Sequence, residues 1–509
     1  MNLLSSIFGG ILLAAPFLYP PLYLLAWGAL IPLLWVHRRS AGHGKAFLFG
    51  WAMGATTSMV GFYWLNYTIS VFGGFSYGVS AFIFLLFSLY SGLALAFFSL
   101  FVHRFGLGPL SLFPPLFWVA IEFWFPFLFP WHLANSQATL LSLIQSADLV
   151  GPYGTSFLLV WANTVLFKIA EALLAPPGDR KFPVREAVVV AMALVGVLFY
   201  GHFQLRAIST RIKSADSLTL AAVQGNVSIR KKGNITYMES NLESYKELTR
   251  KTQGVTLVIW PESAVDAFIP EDLKQLAPED LAWQASENSF FVFGVRSFRG
   301  NPSRPDNFFN SAFLADAKGR ILGRYHKQVL LAFGEYIPFS AVLSKLPGMP
   351  PIGGFTPGIG PRTLDISPTI KLAPLICYED LMPRVARRFV AESGATLLLN
   401  LTNDAWFGNT VAPWQHARTA KWRAIETRRT LVRATNTGVT TVINPRGEIL
   451  ESLPVFSSGV LTADVPLMKG QTFYVRFGDW FAWMCTLGSL GIILTPIRVM
   501  KIPGRKTTL

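Results

Sequence analysis

Residues 372–380 read Leu-Ala-Pro-Leu-Ile-Cys-Tyr-Glu-Asp, an apolar run that ends abruptly in a cysteine, a tyrosine and two acids. This pattern predicts a buried strand whose C-terminal end carries a polar site. The cysteine, Cys377, is either a core residue or a nucleophile. This stretch alone favours a core residue, because free cysteine is among the most buried residue types.

Two further segments change that interpretation. Leu-Val-Ile-Trp-Pro-Glu-Ser at 257–263 is another predicted strand that ends in an acid, Glu262, and Gly-Arg-Tyr-His-Lys at 323–327 ends in Lys327. A thiol that attacks a carbonyl group needs a base to take its proton, and the anionic intermediate needs a fixed positive donor. Glu262, Lys327 and Cys377 are the residue types that such a reaction requires.

Seven short segments carry a resemblance to a known family. They are Ala-Val-Gln-Gly-Asn (222–226), Trp-Pro-Glu (260–262), Tyr-His-Lys (325–327), Phe-Gly-Glu-Tyr-Ile-Pro (333–338), Ile-Cys-Tyr-Glu (376–379), Asn-Asp-Ala-Trp-Phe-Gly (403–408) and Arg-Ala-Thr-Asn-Thr-Gly (433–438). In this order they resemble the carbon–nitrogen hydrolase (nitrilase) superfamily, whose members carry Glu, Lys and Cys in the same succession. Together with the apolar segments described below, they resemble more closely the apolipoprotein N-acyltransferase family.

The resemblance implies a role for each candidate residue. Cys377 is expected to form a thioester, Glu262 to act as its base, and Lys327 to stabilise the oxyanion. A second Glu follows the Lys in the family and is matched by Glu335, which is expected to hold Lys327 through a charge-assisted hydrogen bond. Tyr378 and Glu379, placed beside the nucleophile, are expected to shape its pocket.

The resemblance also implies the substrates. The acyl donor is expected to be a membrane phospholipid, and the acceptor the α-amino group of the N-terminal diacylglyceryl-cysteine of a lipoprotein. No cofactor is implied, and no metal is predicted because His326 and His416 lack metal-ligand spacing to another His, Cys or acid. The family usually has a tryptophan where this chain has Gly233, so substrate positioning is expected to differ there.

The composition indicates a membrane protein. The chain of 509 residues is 51% hydrophobic and 14% charged, against roughly 25% charged residues in soluble domains. Eight apolar runs predict membrane spans; they lie at 5–19, 20–36, 46–66, 76–102, 109–129, 152–174, 186–203 and 477–497. No basic region precedes the first run, and more spans follow it, so a cleaved signal peptide is not expected.

Predicted strands and helices alternate between spans seven and eight, which indicates an α/β domain. The predicted helices lie at 237–251, 271–287, 383–393 and 412–428, and the predicted strands at 218–226, 255–260, 289–295, 309–315, 320–325, 371–377, 395–400, 430–435, 439–444 and 447–451. The resemblance sharpens this to a nitrilase-like α-β-β-α sandwich, inserted between those two spans of an α-helical bundle. The predicted organisation is a seven-helix transmembrane domain (1–203), a linker (204–216), the catalytic domain (217–470), transmembrane helix eight (471–498) and a basic cytoplasmic tail (499–509).

Basic residues mark the cytoplasmic side of short membrane loops. They follow spans two, four, six and eight, whereas the loops 67–75 and 130–151 contain no Lys or Arg. Both termini are therefore predicted to be cytoplasmic and the catalytic domain periplasmic, in a bacterial inner membrane. The net charge of +15 does not indicate nucleic-acid binding, because residues 217–470 hold 28 Lys and Arg against 22 Asp and Glu, a net of +6.

Two features leave alternatives open. Glu122, inside span five, is either functional or an acid bonded to a neighbouring helix. The Pro- and Gly-rich stretch 338–362 is either a membrane-facing lid or an apolar loop that packs on the catalytic domain.

Two alternative functions also remain at this point: a membrane-tethered amidase or nitrilase that uses water as acceptor, and a non-enzymatic lipoprotein-binding or transport protein.

Overall fold

The computed structural model describes residues 2–39, 42–277, 289–301, 304–338, 340 and 354–495. Its N-terminal part is helical because long apolar runs in this part of the chain satisfy their backbone groups internally. The α-helices are α1 (Asn2–Leu18), α2 (Ile31–Arg39), α3 (His43–Gly61), α4 (Leu65–Gly73), α5 (Tyr77–Phe105), α6 (Phe113–Trp124), α7 (Leu141–Ile144), α8 (Ala147–Val150), α9 (Tyr153–Leu174) and α10 (Val184–Lys213), with a 3-10 helix at Pro20–Trp27.

Four helical stretches in the described part of the chain are long and apolar enough to cross a membrane: Pro20–His37, Tyr77–Phe105, Tyr153–Leu174 and Val184–Lys213. Shorter apolar helices lie at Asn2–Leu18, Pro109–Trp124, Leu141–Val150 and Trp480–Leu494. Helix α3 touches α5 through glycine: a Cβ added to Gly54 would lie 2.6 Å from the carbonyl oxygen of Gly92. Small residues at such crossings let two helix backbones approach closely.

The predicted linker is mostly helical. Helix α10 continues to Lys213, so residues 204–213 belong to the helix and only 214–216 connect it with the first strand. Apolar residues become sparse after Phe203, but the following segment contains neither glycine nor proline, so nothing in it breaks the helix.

Two sheets form the next part of the chain. The first has the strand order β13-β1-β2-β4-β5-β6, with β3 paired to β4, and the second has the order β12-β11-β10-β9-β8-β7. The strands are β1 (Ser217–Gln224), β2 (Leu257–Ile259), β3 (Val265–Pro270), β4 (Phe290–Asn301), β5 (Arg304–Ala315), β6 (Ile321–His326), β7 (Leu364–Ser367), β8 (Ile370–Ile376), β9 (Leu397–Thr402), β10 (Leu431–Thr435), β11 (Thr441–Ile443), β12 (Ile449–Ser452) and β13 (Gly459–Pro466).

The two sheets share one apolar core, in which Leu220 and Ile259 of the first sheet belong to the same cluster as Leu375 of the second. Helix α11 (Met238–Thr249) covers the other face of the first sheet, where its Tyr245 packs 5.1 Å from the Trp260 ring. Helices α12 (Pro383–Ser393) and α13 (Ala412–Thr427) pack against strands β8 and β10. The layers therefore run helix, sheet, sheet, helix.

Three strands were not predicted: β3, β7 and β13. Strand β13 pairs with β1 along its whole length, from Gly459 opposite Gln224 to Pro466 opposite Ser217. The paired residues are 235 to 249 positions apart in the chain, and the local sequence pattern does not encode a pairing between such distant residues. The predicted helix at 271–287 is wrong for 271–277, which are non-helical, and its remainder lies outside the described residues.

After β13 the chain returns to the helical region through α14 (Phe473–Phe477) and α15 (Trp480–Leu494). Helix α15 packs against α6, where Trp124 Nε1 donates a hydrogen bond to Thr486 Oγ1 (3.2 Å) and the Phe123 and Trp483 rings lie 5.7 Å apart. The sheet domain is thus connected to helices at both of its ends.

Candidate active site

Cys377 lies at the junction of β8 with a short 3-10 helix, Cys377–Leu381. Its φ of 52° is in the left-handed region, which non-glycine residues rarely adopt and which recurs at functional sites. Asn400 Nδ2 holds this turn by donating to the carbonyl oxygens of Leu375 (3.1 Å) and Cys377 (3.0 Å). The cysteine is partly exposed.

Glu262 and Glu335 are buried and are joined by one amide group. Asn310 Nδ2 donates to Oε1 of Glu262 (2.7 Å) and to Oε1 of Glu335 (2.8 Å). The second oxygen of Glu262 accepts from the backbone N–H of Asn403 (3.1 Å). These donors fix the orientation of the Glu262 carboxylate.

Lys327 is buried between the same two carboxylates. Its Nζ lies 2.8 Å from Oε2 of Glu335 and 3.9 Å from Oε1 of Glu262. Burial by itself lowers the pKa of Lys327, but the charges of Glu335 and then Glu262 outweigh it and raise that pKa above its usual range. The ammonium group is therefore charged at every physiological pH.

The electrostatic environment of Cys377 differs from that of Lys327. Burial, and after it the negative charge of Glu262, raises the pKa of the Cys377 thiol above its usual range, while the charge of Lys327 lowers it. The thiol is therefore protonated in the resting protein and needs a base before it can attack. The structure thus brings Glu262, Lys327 and Cys377 within electrostatic range of one another, with Glu335 beside the lysine.

Glu379, which is expected to shape the pocket, does not line the cleft beside Cys377. Its side chain is fully buried, and Oε1 accepts from Tyr325 OH (2.8 Å) and from the backbone N–H groups of Gln328 (2.7 Å) and Val329 (3.1 Å). Oε2 accepts from the N–H of Ile376 (2.8 Å). Glu379 therefore joins the segment after Lys327 to the strand before Cys377.

Tyr378 points towards the helical region. Its hydroxyl donates to the carbonyl oxygen of Leu128 (3.0 Å), and its ring lies 6.0 Å from that of Phe129. Both partners belong to the aromatic segment that follows α6. Tyr378 therefore contacts the N-terminal half of the chain directly beside Cys377.

Glu122 anchors that aromatic segment. Its Oε1 accepts from the N–H of Leu133 (2.7 Å) and from the hydroxyl of Ser156 (3.0 Å), and its Oε2 lies 3.3 Å from His132 Nδ1. Of the two alternatives for this acid, these contacts favour the one in which it bonds to neighbouring segments.

A cleft opens beside Cys377 and Tyr378. Its empty space is about 1050 Å³ when the solvent-filled opening is included. Its other walls come from the helical region and from α13, including Phe17, Trp64 and His416. Trp64 Nε1 donates to Gln415 Oε1 (2.8 Å), so α13 is bonded to the helices on the opposite wall. The cleft is mainly apolar and lies between the two halves of the chain.

A buried charge network lies beneath this cleft. His416 bonds through Nε2 to Asp380 (2.7 Å) and through Nδ1 to Asp404 (2.9 Å), and Arg433 pairs with both acids. Burial lowers the pKa of His416, but Asp380, with Asp404, outweighs burial and raises that pKa to about 9. Within the described residues no group of three or more His, Cys, Asp or Glu side chains is arranged to hold a metal ion.

The structure adds residues that the sequence analysis did not single out. Asn310 is one, because nothing in its strand distinguishes it from Asn307. Lys232 is another: its Nζ donates to the carbonyl oxygen of Glu262 (3.0 Å), and burial lowers its pKa to about 8. The adjacent Gly233 has a positive φ of 78°, and a Cβ there would meet nothing within 4 Å.

Most of the stretch 338–362 lies outside the described residues. At its described end, Phe355 N–H donates to the carbonyl oxygen of Glu335 (3.1 Å), and Gly358 N–H donates to that of Lys327 (2.8 Å). This end is therefore bonded to the backbone of both members of the buried ion pair.

Two packed sheets with a cysteine, a lysine and a glutamate at their strand ends define the carbon–nitrogen hydrolase class, and the family model of carbon-nitrogen hydrolases matches residues 219–473. The apolipoprotein N-acyltransferase N-terminal domain model matches residues 9–165. The chain belongs to the apolipoprotein N-acyltransferase family, and it is an acyltransferase.

Curated relatives agree over nearly the full length. The apolipoprotein N-acyltransferase of Geobacter metallireducens is 34% identical over 512 residues, covering 98% of this chain and 96% of the relative, and that of Azotobacter vinelandii is 33% identical over 516 residues, covering 97% and 93%. Among solved structures, an amidase from Nesterenkonia sp. is 21% identical, covering 52% of this chain and 96% of the amidase, with a TM-score of 0.38.

Proposed function

We propose that this protein transfers an acyl chain from a membrane phospholipid, through a thioester on Cys377, to the α-amino group of the N-terminal diacylglyceryl-cysteine of a lipoprotein. The observation that carries this proposal is the apolar cleft that joins Cys377 to the helical region. Both substrates carry acyl chains that leave a lipid phase unfavourably, so a site open towards apolar helices suits them.

The first half-reaction acylates the cysteine. Glu262 takes the proton of the Cys377 thiol, and the thiolate attacks the ester carbonyl carbon of the phospholipid. Lys327, with the backbone N–H that follows Cys377, stabilises the oxyanion of the tetrahedral intermediate. The carbon–oxygen bond of the ester then breaks, and the departing lysophospholipid oxygen receives the proton from Glu262.

The second half-reaction transfers the acyl chain. The α-amino group of the lipoprotein attacks the thioester carbonyl carbon and gives a proton to Glu262. The carbon–sulfur bond breaks, an amide forms, and the thiol of Cys377 regains its proton. Glu335 keeps Lys327 in place throughout, and the scheme is ping-pong because one product leaves before the second substrate reacts.

We further propose eight membrane spans, with the catalytic domain of residues 217–470 periplasmic and both termini cytoplasmic in a bacterial inner membrane. The alternation of basic and uncharged loops supports this orientation. A reporter that is active only in the cytoplasm should be silent when fused after residue 300 and active after residue 505. The reverse pattern would contradict the orientation.

Mass spectrometry of the full-length protein incubated with labelled phospholipid tests the mechanism, because an acyl adduct should appear on Cys377. Addition of a diacylglyceryl lipopeptide should then discharge the adduct and yield N-acylated peptide. Cys377→Ser should fold and insert but form neither product, whereas the matched variant Cys485→Ser should remain active. Release of free fatty acid alone would instead indicate a hydrolase, and transfer by Cys377→Ser would refute the nucleophile.

A further inference from the structure

A second cavity, with about 530 Å³ of empty space, lies away from the Cys377 cleft and shares no lining residue with it. One wall is the polar end of helix α10, with Tyr200, Gln204 and Arg211, and the opposite wall includes Arg428 and Arg429. Lys469 and the segment after it complete the cavity. The space therefore lies between a long apolar helix and the catalytic domain.

The position of this cavity along α10 matches the edge of a membrane. Phe199 and Phe203, next to its lining residues, are 75% and 62% exposed. From Gln204 onwards the same helix carries Arg206 and Arg211 instead of a continuous apolar surface. Long basic side chains near the end of a membrane helix reach the polar interface in this way.

The charges around the cavity are unbalanced. Arg428 pairs with Asp148 (2.6 Å), and Lys469 pairs with Asp216 (3.0 Å), which is not a lining residue. Within the described part of the chain, Arg211 and Arg429 have no carboxylate at ion-pair distance. Two guanidinium groups of the cavity thus lack a carboxylate partner: that of Arg429, which is buried, and that of Arg211, which is exposed and donates to the carbonyl oxygen of Lys469 (3.2 Å).

Arg429 shows this imbalance most clearly, because its side chain is only 3% exposed. Its guanidinium donates to four carbonyl oxygens, those of Ala395, Thr427, Arg428 and Gly470, and to no anion. Burial, and after it the charge of Arg211, lowers the pKa of Arg429 to about 10. A buried cation without an anion is unfavourable, so a bound anion here would be stabilised by both arginines.

We propose that this cavity binds the phosphate group of an anionic ligand. Arg211 and Lys469 are exposed in the cavity and can donate to phosphate oxygens, while the buried charge of Arg429 attracts the anion without offering a free pair of N–H donors. The space is large enough for a headgroup. Either a phospholipid phosphodiester, with its acyl chains along the exposed apolar side of α10, or free phosphate supplies this chemistry. The bound anion holds α10 against the catalytic domain without taking part in acyl transfer.

Native mass spectrometry of the full-length protein in detergent tests this site with phosphatidylglycerol, glycerophosphoglycerol and inorganic phosphate as separate probes. Arg211→Gln and Lys469→Gln remove exposed cations from the cavity, and Arg206→Gln removes an exposed cation from the same helix outside it. We expect about tenfold weaker binding in the first two variants, since a charge-assisted hydrogen bond contributes about that factor, and unchanged binding in the control.

The three probes distinguish the source of the phosphate. Cation-dependent binding of phosphatidylglycerol alone identifies a lipid site, and equal dependence for inorganic phosphate identifies a free-phosphate site. Equal binding of every probe to Arg211→Gln, Lys469→Gln and Arg206→Gln would overturn the proposal. Because the measurement is binding, its outcome is independent of whether the proposed acyl transfer is correct.

Discussion

The ammonium group of Lys327 lies 2.8 Å from the carboxylate of Glu335, in direct ion-pair contact. Its separation from the proposed base is longer, 3.9 Å to Oε1 of Glu262. This difference gives the two acids different environments: Glu335 neutralises the lysine, whereas Glu262 is bonded to neutral donors, its Oε1 to the Asn310 amide and its Oε2 to the Asn403 N–H. A carboxylate that is not locked in an ion pair remains available to accept a proton.

Glu335→Gln should therefore slow acylation of Cys377 by about 10²–10³, the range seen when one oxyanion donor is lost. The reason is that Lys327 would lose its partner and move towards Glu262, which weakens that base and displaces the oxyanion donor. Single-turnover acylation measures the effect. Glu392→Gln, which removes the acid of an exposed pair with Arg388, is the matched control; equal rates for both variants would contradict the role of Glu335.

Asn310→Asp should lower activity at neutral pH and move the acidic limb of the pH–rate profile upwards. The new carboxylate would lie at hydrogen-bond distance from both Glu262 and Glu335, and like charges this close raise the pKa of the group that must ionise. The control is Asn307→Asp on the same strand, because an aspartate there still accepts the Thr356 hydroxyl hydrogen bond, 2.8 Å long in the native chain. A profile that does not move in Asn310→Asp would show that Asn310 does not set the state of Glu262.

His416 should make stability depend on pH in the alkaline range. Its folded-state pKa of about 9 exceeds the ordinary 6.5, so its contribution is fully present below about pH 6.5 and is lost as pH rises through about 9. A shift of this size corresponds to roughly 3 kcal/mol. Melting temperatures of the native protein and His416→Gln should differ most near pH 6 and converge above pH 9; a constant difference would contradict the charged histidine.

Phe355→Asp should slow thioester formation more than it lowers the melting temperature. Its backbone is bonded to Glu335, and a charge placed in an acyl-chain or interfacial setting is unfavourable, on the order of 2–4 kcal/mol. Leu322→Asp, which changes an apolar side chain exposed by 46% on β6, is the control. Normal acylation combined with a clear drop in melting temperature would show that Phe355 packs on the catalytic domain, and it would contradict the alternative in which residues 338–362 form a membrane-facing lid.

The amino-acid sequence determined most of the features that depend on neighbouring residues. Apolar runs located helices in all eight predicted ranges, and alternating strands and helices located the α/β domain. Glu262, Lys327 and Cys377 each come at the end of a predicted strand, where a polar residue follows an apolar run. The sequence alone therefore identifies them as candidates. Residues 204–213 are predicted as a linker but continue helix α10. The segment is polar, but it contains no glycine or proline that would break the helix.

Only the tertiary structure determined the contacts between residues that are distant in the sequence. The side-chain amide of Asn310 bonds to both Glu262 and Glu335, and the buried carboxylate of Glu379 joins the segment after Lys327 to the strand before Cys377. The bond from Tyr378 to Leu128 spans 250 residues. Such contacts depend on which strand ends and helices meet in space, and a periodicity of 2 or 3.6 residues carries no information about that.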